Sequence, residues 1–513
     1  VSWRRDWPAA ALVAAALILI VPLWCVAVPA MPDYPARLAS FHLINGGTLD
    51  PATARFYRID WMAVPNLASE LLVPLLALIF PLNVAAKLFL ALGVLMWVLG
   101  GGMLQRALYG RIGLAPLAGA FFAYNGNFLW GFFNYFFAAG LTLLVFAAWV
   151  ETENKPGAWR TLCFILAATA IYFCHVFAAA ILLVMIAGFE TARAGFDLRQ
   201  LLRKALAVAI LFLPSATIFF FLRPDGGDSR LEFNLAATMQ ERFESLIGTS
   251  FDHPLYALPI SLLTLLVLAV LVRRGSIHPA MRLVLAALLV GTLVAPEWAM
   301  GGWAVHLRLP AFFCIVLFAA TEIRLPQPVV RAASGLALIL LAWNAMQLTG
   351  AWQLYDKRYR EFRSAMAALP RGQRLLTVMD TDPYGVESDQ PYWHMAEFAI
   401  IDRGDMTALM FTTRGQHVVQ LNPPFDRYAA ASAQQGSPPS IGELNDLAAG
   451  RVNGDSDISD VFPYLMRFQC HYDEAVVVRL DGERNIAPAM LRLRHQGSFF
   501  DLYDIKSDQT CPS

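Results

Sequence analysis

The sequence predicts a polytopic α-helical membrane protein of about eleven transmembrane helices, followed by a C-terminal soluble α/β domain. Three observations predict it. Of 513 residues, 57% are apolar and 15% charged, with a mean hydropathy of +0.51, where a soluble chain would be about one-quarter charged. The apolar residues gather into long runs, several of them near the roughly 20 residues that cross a bilayer. From Gly350 onward the composition turns polar and strand-like runs replace the apolar ones. The 39 basic and 39 acidic residues balance, so charge gives no reason to expect nucleic acid as a partner.

Residues 9–30 form the first apolar run, behind Arg4 and Arg5, and the arginine pair favours a cytoplasmic N-terminus. Its end, residues 26–30, weakly resembles a signal-cleavage site; the run is read as an anchor. Residues 31–37 (Met-Pro-Asp-Tyr-Pro-Ala-Arg) then emerge past the far face, and a polar loop follows at 45–66. Residues 67–81 hold Glu70 and Pro74 between Pro65 and Pro81, and read as a helix lying in the interface. That choice sends 84–104 inward and puts Arg106 and Arg111 in the cytoplasm, as the positive-inside tendency favours.

Residues 113–124 run outward, 125–134 turn, and 135–150 return. The run 161–190 is too long for one span and breaks at Cys174-His175 into two helices. The basic segment 193–204 is then cytoplasmic, 205–222 goes out, and 223–255 is a long outer loop. Residues 256–272 return to Arg273 and Arg274, 281–294 go out, 304–320 come back and 332–348 exit. The predicted division is thus 1–349, transmembrane with an outer loop at 31–82, and 350–513, extracytoplasmic. In the latter, 355–369 is a helix-like connector, 374–380, 475–480 and 498–505 read as strands, and 392–402 as helical.

Chemistry concentrates at the outer ends of these spans. Asp33 can stay ionised in an interfacial cleft and take a proton from an attacking hydroxyl, while Pro32 and Pro35 fix where it points. The alternative is that Asp33 caps the next helix. Arg308, between His306 and Pro310 near the outer end of a span, suits a phosphate, because an intramembrane cation is a functional hypothesis by default; the alternative is a snorkelling arginine. Arg37 is a second cation, or a surface ion pair. His42, His175 and His306 are candidates to hold a sugar or acceptor, against burial, helix capping or packing. Asp60, Glu70 and Glu297 are alternative acids, each also readable as a solvated interfacial carboxylate. Residues 252–254 (Asp-His-Pro) can close over a site or simply turn. The aromatic cluster 121–137 reads as lipid-facing or packing residues.

The assembly resembles the GT-C class of polytopic membrane glycosyltransferases. It does so through an acidic residue soon after the first helix, a first outer loop with interfacial helices, many further spans and an outer C-terminal domain. The resemblance implies that Asp33 is catalytic base or metal ligand, with a divalent cation such as Mg or Mn as a possible cofactor. It implies a polyprenyl-phosphate sugar donor, a glycan, lipid or protein acceptor, contact with membrane lipids, and a place in the bacterial inner membrane. The class often carries a second acidic residue in the next outer turn. Here that turn, Asn125-Gly126-Asn127 to Asn134-Tyr135, has no carboxylate. A non-catalytic scaffold with a binding domain fits that gap. A transporter using Asp33, His175 and Arg308 would place them nearer mid-span.

Of six cysteines, Cys25, Cys163, Cys174 and Cys314 lie in apolar segments as packing residues. Cys470 and Cys511 lack zinc-site spacing and are expected to form a disulfide on the oxidising side.

Overall fold

The computed structural model describes residues 7–155, 157–195, 197–222, 231–236, 238–247, 273–299, 302–380, 389–429, 438–451, 463–480 and 487–506. The chain divides into two compact units. One comprises Val1–Cys25, Ala63–Leu72 and Ala86–Gly350, the other Val26–Met62, Val73–Ala85 and Ala351–Ser513. The polar stretch at 350 thus opens the last segment of the second unit, which also takes in most of the loop predicted at 31–82.

Among the described residues, six helices are long and apolar enough to cross a membrane: Trp7–Trp24, Leu82–Tyr109, Phe133–Glu151, Val176–Ala194, Leu198–Phe221 and Gln327–Met366. Shorter apolar helices are Ala158–Cys174, Pro279–Val294 and Val305–Ala319. This is a multi-pass membrane protein. The helices around Trp97 and Phe136 approach closely through glycines. A Cβ on Gly100 would lie 2.8 Å from Leu143 Cβ, and one on Gly140 would lie 2.8 Å from Met96 Cβ. Small residues at such contacts let membrane helices pack backbone to backbone. The Trp97 indole stacks on Phe136 at 4.9 Å and donates to its carbonyl at 2.6 Å.

Three elements differ from the sequence reading. Residues 113–124 do not form one span: Ala115–Gly119 is a five-residue helix followed by the tight turn Ala120–Phe122. Non-helical backbone at membrane depth is tolerated where protein buries it, and residues 119–131 are buried. The predicted span 332–348 and connector 355–369 are a single 40-residue helix, Gln327–Met366. No proline lies between Pro328 and Pro370, and Gly350 alone weakens a helix by only about 1 kcal/mol. The helix predicted at 205–222 starts at Leu198, because Asp197 caps it by accepting from the Arg199 and Gln200 backbone. The predicted span 256–272 and the 252–254 turn lie outside the described residues.

The helix Ala68–Leu76, nine residues with Pro74 inside, reaches about 13 Å, far short of a bilayer.

In the second unit a five-stranded sheet is built from β1 (Arg374–Asp380), β2 (Met406–Thr407), β3 (Glu474–Arg479), β4 (Leu491–Gln496) and β5 (Phe500–Ile505), in the order β4-β5-β3-β1-β2. β1 pairs in parallel with β3 and β2, and β5 is antiparallel to β3 and β4. The buried faces of β1 and β3 are continuous apolar runs, as expected for strands covered on both sides. The segment after the first helix joins this core. Helix Tyr34–Ile44 packs on Met395–Glu397 and Phe398–Arg403. The strand Tyr57–Ile59 pairs antiparallel with Val419–Leu421. Ala39, Leu43, Phe56 and Tyr57 are buried with Leu376, Val378 and Ile400 in one cluster.

Candidate functional site

Asp33 stands at the N-cap of helix Tyr34–Ile44, with Pro35 in the first turn, and its side chain makes no capping hydrogen bond. The side chain is buried, at 9% exposure. Capping is therefore not what its carboxylate does. One turn on, the Arg37 N–H donates to the Asp33 carbonyl at 2.9 Å, and the buried Arg37 guanidinium lies over the Phe411 ring at 4.9 Å. Arg37 is not the surface ion pair that its bland reading supposed.

Phe411 gathers two histidines. His394 meets it edge-on at 4.8 Å and His417 stacks on it at 5.5 Å. His394 Nδ1 contacts Glu397 Oε1 at 3.5 Å, and the Thr407 hydroxyl donates to the same oxygen at 3.4 Å. Glu397 is fully buried. Burial works to lower the proton affinity of His394, but the Glu397 hydrogen bond and charge, with the charge of Asp33, outweigh it against Arg37. His394 is thus raised above the ordinary histidine range. His417 goes the other way: burial, then the Arg37 charge, push it well down, and it is neutral. The Tyr57 hydroxyl accepts the Thr407 N–H at 3.1 Å behind this cluster.

None of His394, Glu397, Phe411 and His417 was singled out from sequence. A signal existed: His and Glu three apart in a helical pattern share one face.

His42 sits nine residues along the helix from Asp33, about 13 Å by the helical rise, with its ring against Gly47. Burial lowers it, opposed by Asp402 and Asp50. The structure does not bring His42 to Asp33. Asp60 is half-buried, and its N–H donates to the Val418 carbonyl at 2.8 Å.

In the first unit, His175 is the N-cap of helix Val176–Ala194, at the break after Ala158–Cys174 that the sequence predicts. Arg308 Nη1 lies 2.7 Å from His175 Nε2, and its Nη2 donates to the Trp303 carbonyl at 3.1 Å. Phe132, Tyr135 and Phe177 surround the guanidinium at 5.4, 5.4 and 5.0 Å, and the Tyr135 hydroxyl donates to the Arg308 carbonyl at 2.5 Å. An arginine only donates, so His175 Nε2 accepts and its proton sits on Nδ1. That competes with the Phe177 N–H, which points at Nδ1 from 3.2 Å. The shorter, charge-assisted contact wins.

The aromatic cluster 121–137 is largely interior, and two of its rings face Arg308. His306 is buried, 2.7 Å from Glu241. Glu70 is also buried, accepting from Ser69 and Asn134 at 2.8 Å each. Glu297 is half-buried, and its carbonyl accepts from Val305 at 3.2 Å. Glu70 is not the free solvated acid of its plainer reading.

Cys470 is disulfide-bonded; Cys511 lies outside the described residues. Among the described residues no group of three or more His, Cys, Asp or Glu is arranged to hold a metal ion.

No family model matches the chain, and no curated protein matches it. Among solved structures, the cryo-EM structure of the arabinofuranosyltransferase AftD from Mycobacteria is similar over 98% of this chain and 40% of that one, at 16% identity and a TM-score of 0.45. The chain thus spans about 40% of the length of the structure it matches. A likeness of that degree carries no argument about chemistry.

Proposed function

We propose that the chain is a membrane glycosyltransferase that moves a sugar from a polyprenyl-phosphate-linked donor to an acceptor at the extracytoplasmic face of a bacterial inner membrane. One observation carries the reading: Asp33 is a buried carboxylate at a helix start that does no capping, and its charge, with that of Arg37, acts on a buried histidine whose proton affinity is raised. Structural carboxylates at helix starts normally bond the first N–H groups. In the proposed reaction the acceptor oxygen attacks the anomeric carbon, and the bond from that carbon to the phosphate oxygen breaks. The polyprenyl phosphate leaves with the electron pair, and the acceptor proton passes to Asp33. Arg308 is assigned the donor phosphate, which it would hold by charge-assisted hydrogen bonds. The orientation, with the N-terminus cytoplasmic and the C-terminal region outside, rests on the basic loops at Arg106 and Arg111, 193–204 and Arg273 and Arg274.

The test is carrier release from polyprenyl-phosphate sugars by the protein reconstituted in vesicles, with a chelator arm to read any need for Mg or Mn. Asp33→Asn keeps the shape and removes the charge. General-base assistance is worth about 10²–10⁴-fold, so release should fall by that order with thermal stability unchanged. Undiminished release by Asp33→Asn would remove the base assignment. A wild-type protein that releases no carrier from any such donor would put the scaffold reading ahead.

A further inference from the structure

We propose that His394, held by Glu397, is a positioning residue of the Asp33 site: a buried imidazolium that is the fixed counter-charge of the Asp33 carboxylate. The inference rests on reading Asp33 as the base. It begins with Glu397. One carboxylate oxygen takes both His394 and Thr407, and the other, Oε2, is buried with no hydrogen-bond partner among the described residues. A fully buried carboxylate so placed needs a positive charge in its surroundings, and the ring in contact with it is His394.

From the other side, the helix that begins after Asp33 packs on Met395–Glu397, and both Asp33 and Arg37 act on His394 through their charge. The charged and titratable groups around His394 are therefore Glu397 on its own segment, Asp33 and Arg37 from the helix, and His417 behind Phe411. His417 is neutral. Among the described residues, two carboxylates then face one arginine and His394, and a proton on His394 balances them.

Coulomb interaction is mutual. Whatever holds the proton on His394 also holds Asp33 in the ionised form that a base requires. His394 takes no proton from the substrate, since its proton is already there; it acts through Asp33.

Histidine side-chain NMR of the full chain in nanodiscs tests the coupling without any assay of activity. The His394 signal is identified by its loss in His394→Gln. In the wild type its midpoint should lie above the ordinary value of about 6.5. Asp33→Asn and Glu397→Gln should each lower it by roughly one unit or more, the usual effect of removing a close opposite charge. The pH profile of carrier release then tests the role. In His394→Gln the acid limb should move up by roughly one unit, with rates recovering toward wild type at alkaline pH. A merely structural histidine would lower the rate equally at all pH. Should His394→Gln fail to fold, as judged by thermal unfolding, the His394 signal is assigned by elimination from substitutions of the other eight histidines, and Glu397→Gln serves for both measurements.

A His394 midpoint that does not move in Asp33→Asn overturns the proposal, even where that variant abolishes transfer. A midpoint that moves while Asp33→Asn transfers normally upholds the counter-charge and sinks the base.

Discussion

Arg308 and Asp33 are both buried and each acts on a histidine, yet the two histidines are pushed in opposite directions. His175 faces a cation that only donates, so it accepts at Nε2 and is neutral. His394 faces carboxylates, and they raise its proton affinity despite its burial. The residue type is the same and the degree of burial is similar; the sign of the partner decides. The difference suits different tasks. A neutral histidine leaves the full charge of Arg308 available to an anion, whereas a charged one sustains a carboxylate.

The largest effects should separate the two regions by kinetic signature. Asp33→Asn removes a group needed in the transition state, so it should depress kcat by about 10²–10⁴-fold with little change in KM. Arg308→Ala removes a charge-assisted contact worth about 1.5–3 kcal/mol, so the donor KM should rise by roughly tenfold to a hundredfold. If both variants lost kcat alone, the assignment of separate roles would break. His175→Asn sharpens the Arg308 side. Asparagine is as good an N-cap as helices have, so helix Val176–Ala194 should survive while the acceptor for Arg308 is displaced. A donor KM raised by roughly threefold, with thermal stability held, is the expected result; stability and KM both unchanged would make His175 a cap and nothing more.

These two regions were unequally visible in the sequence. The break at His175 could be read because a capping residue interrupts an apolar run too long for one span. Arg308 stood out as a cation among apolar residues. The rings around it did not, since Phe132 and Tyr135 lie more than 170 positions away in the chain. Residues 113–124 read as a span because their composition is apolar, but their irregular backbone is supported at a distance. Asn125 accepts from the Asn127 N–H at 2.9 Å, and the Asn127 side chain donates to the Leu307 carbonyl at 3.1 Å. Around Asp33, the carboxylate and its prolines were legible, and even the spacing of His394 and Glu397 was. What brings them together is the packing of helix Tyr34–Ile44 on Met395–Glu397 and the pairing of Tyr57–Ile59 with Val419–Leu421. Such contacts, across some 360 residues, have no local signature.

The smallest expected effect tests the rule that the partner's sign decides, on a third buried group. Asp405 lies 2.8 Å from Arg403 and accepts the Gln373 N–H at 2.9 Å. A favourable partner sign alone would hold its carboxyl low. Burial instead pushes it up to about 7, with Glu474 adding to the rise and Arg403 and the Gln373 bond opposing it. Arg403 is shared, because it also pairs with Glu474 at 2.8 Å, so Asp405 competes for its only arginine partner among the described residues, whereas Glu474 has Arg494 as well. The unfolded carboxyl titrates near 3.8. Between there and about 7 the folded state keeps a proton that the unfolded state releases. The stability this provides is therefore complete below 3.8 and lost as pH rises through about 7. Asp405→Asn retains an acceptor for Gln373 and has no proton to lose. Its melting temperature relative to wild type should climb steadily from pH 4 to pH 8, by roughly 2–4 °C for each kcal/mol released. Asp33→Asn and Arg308→Ala should leave that slope where it is in the wild type. A difference between Asp405→Asn and wild type that stays flat across this range would mean that Arg403 neutralises Asp405 after all, and that partner sign prevails over burial here too.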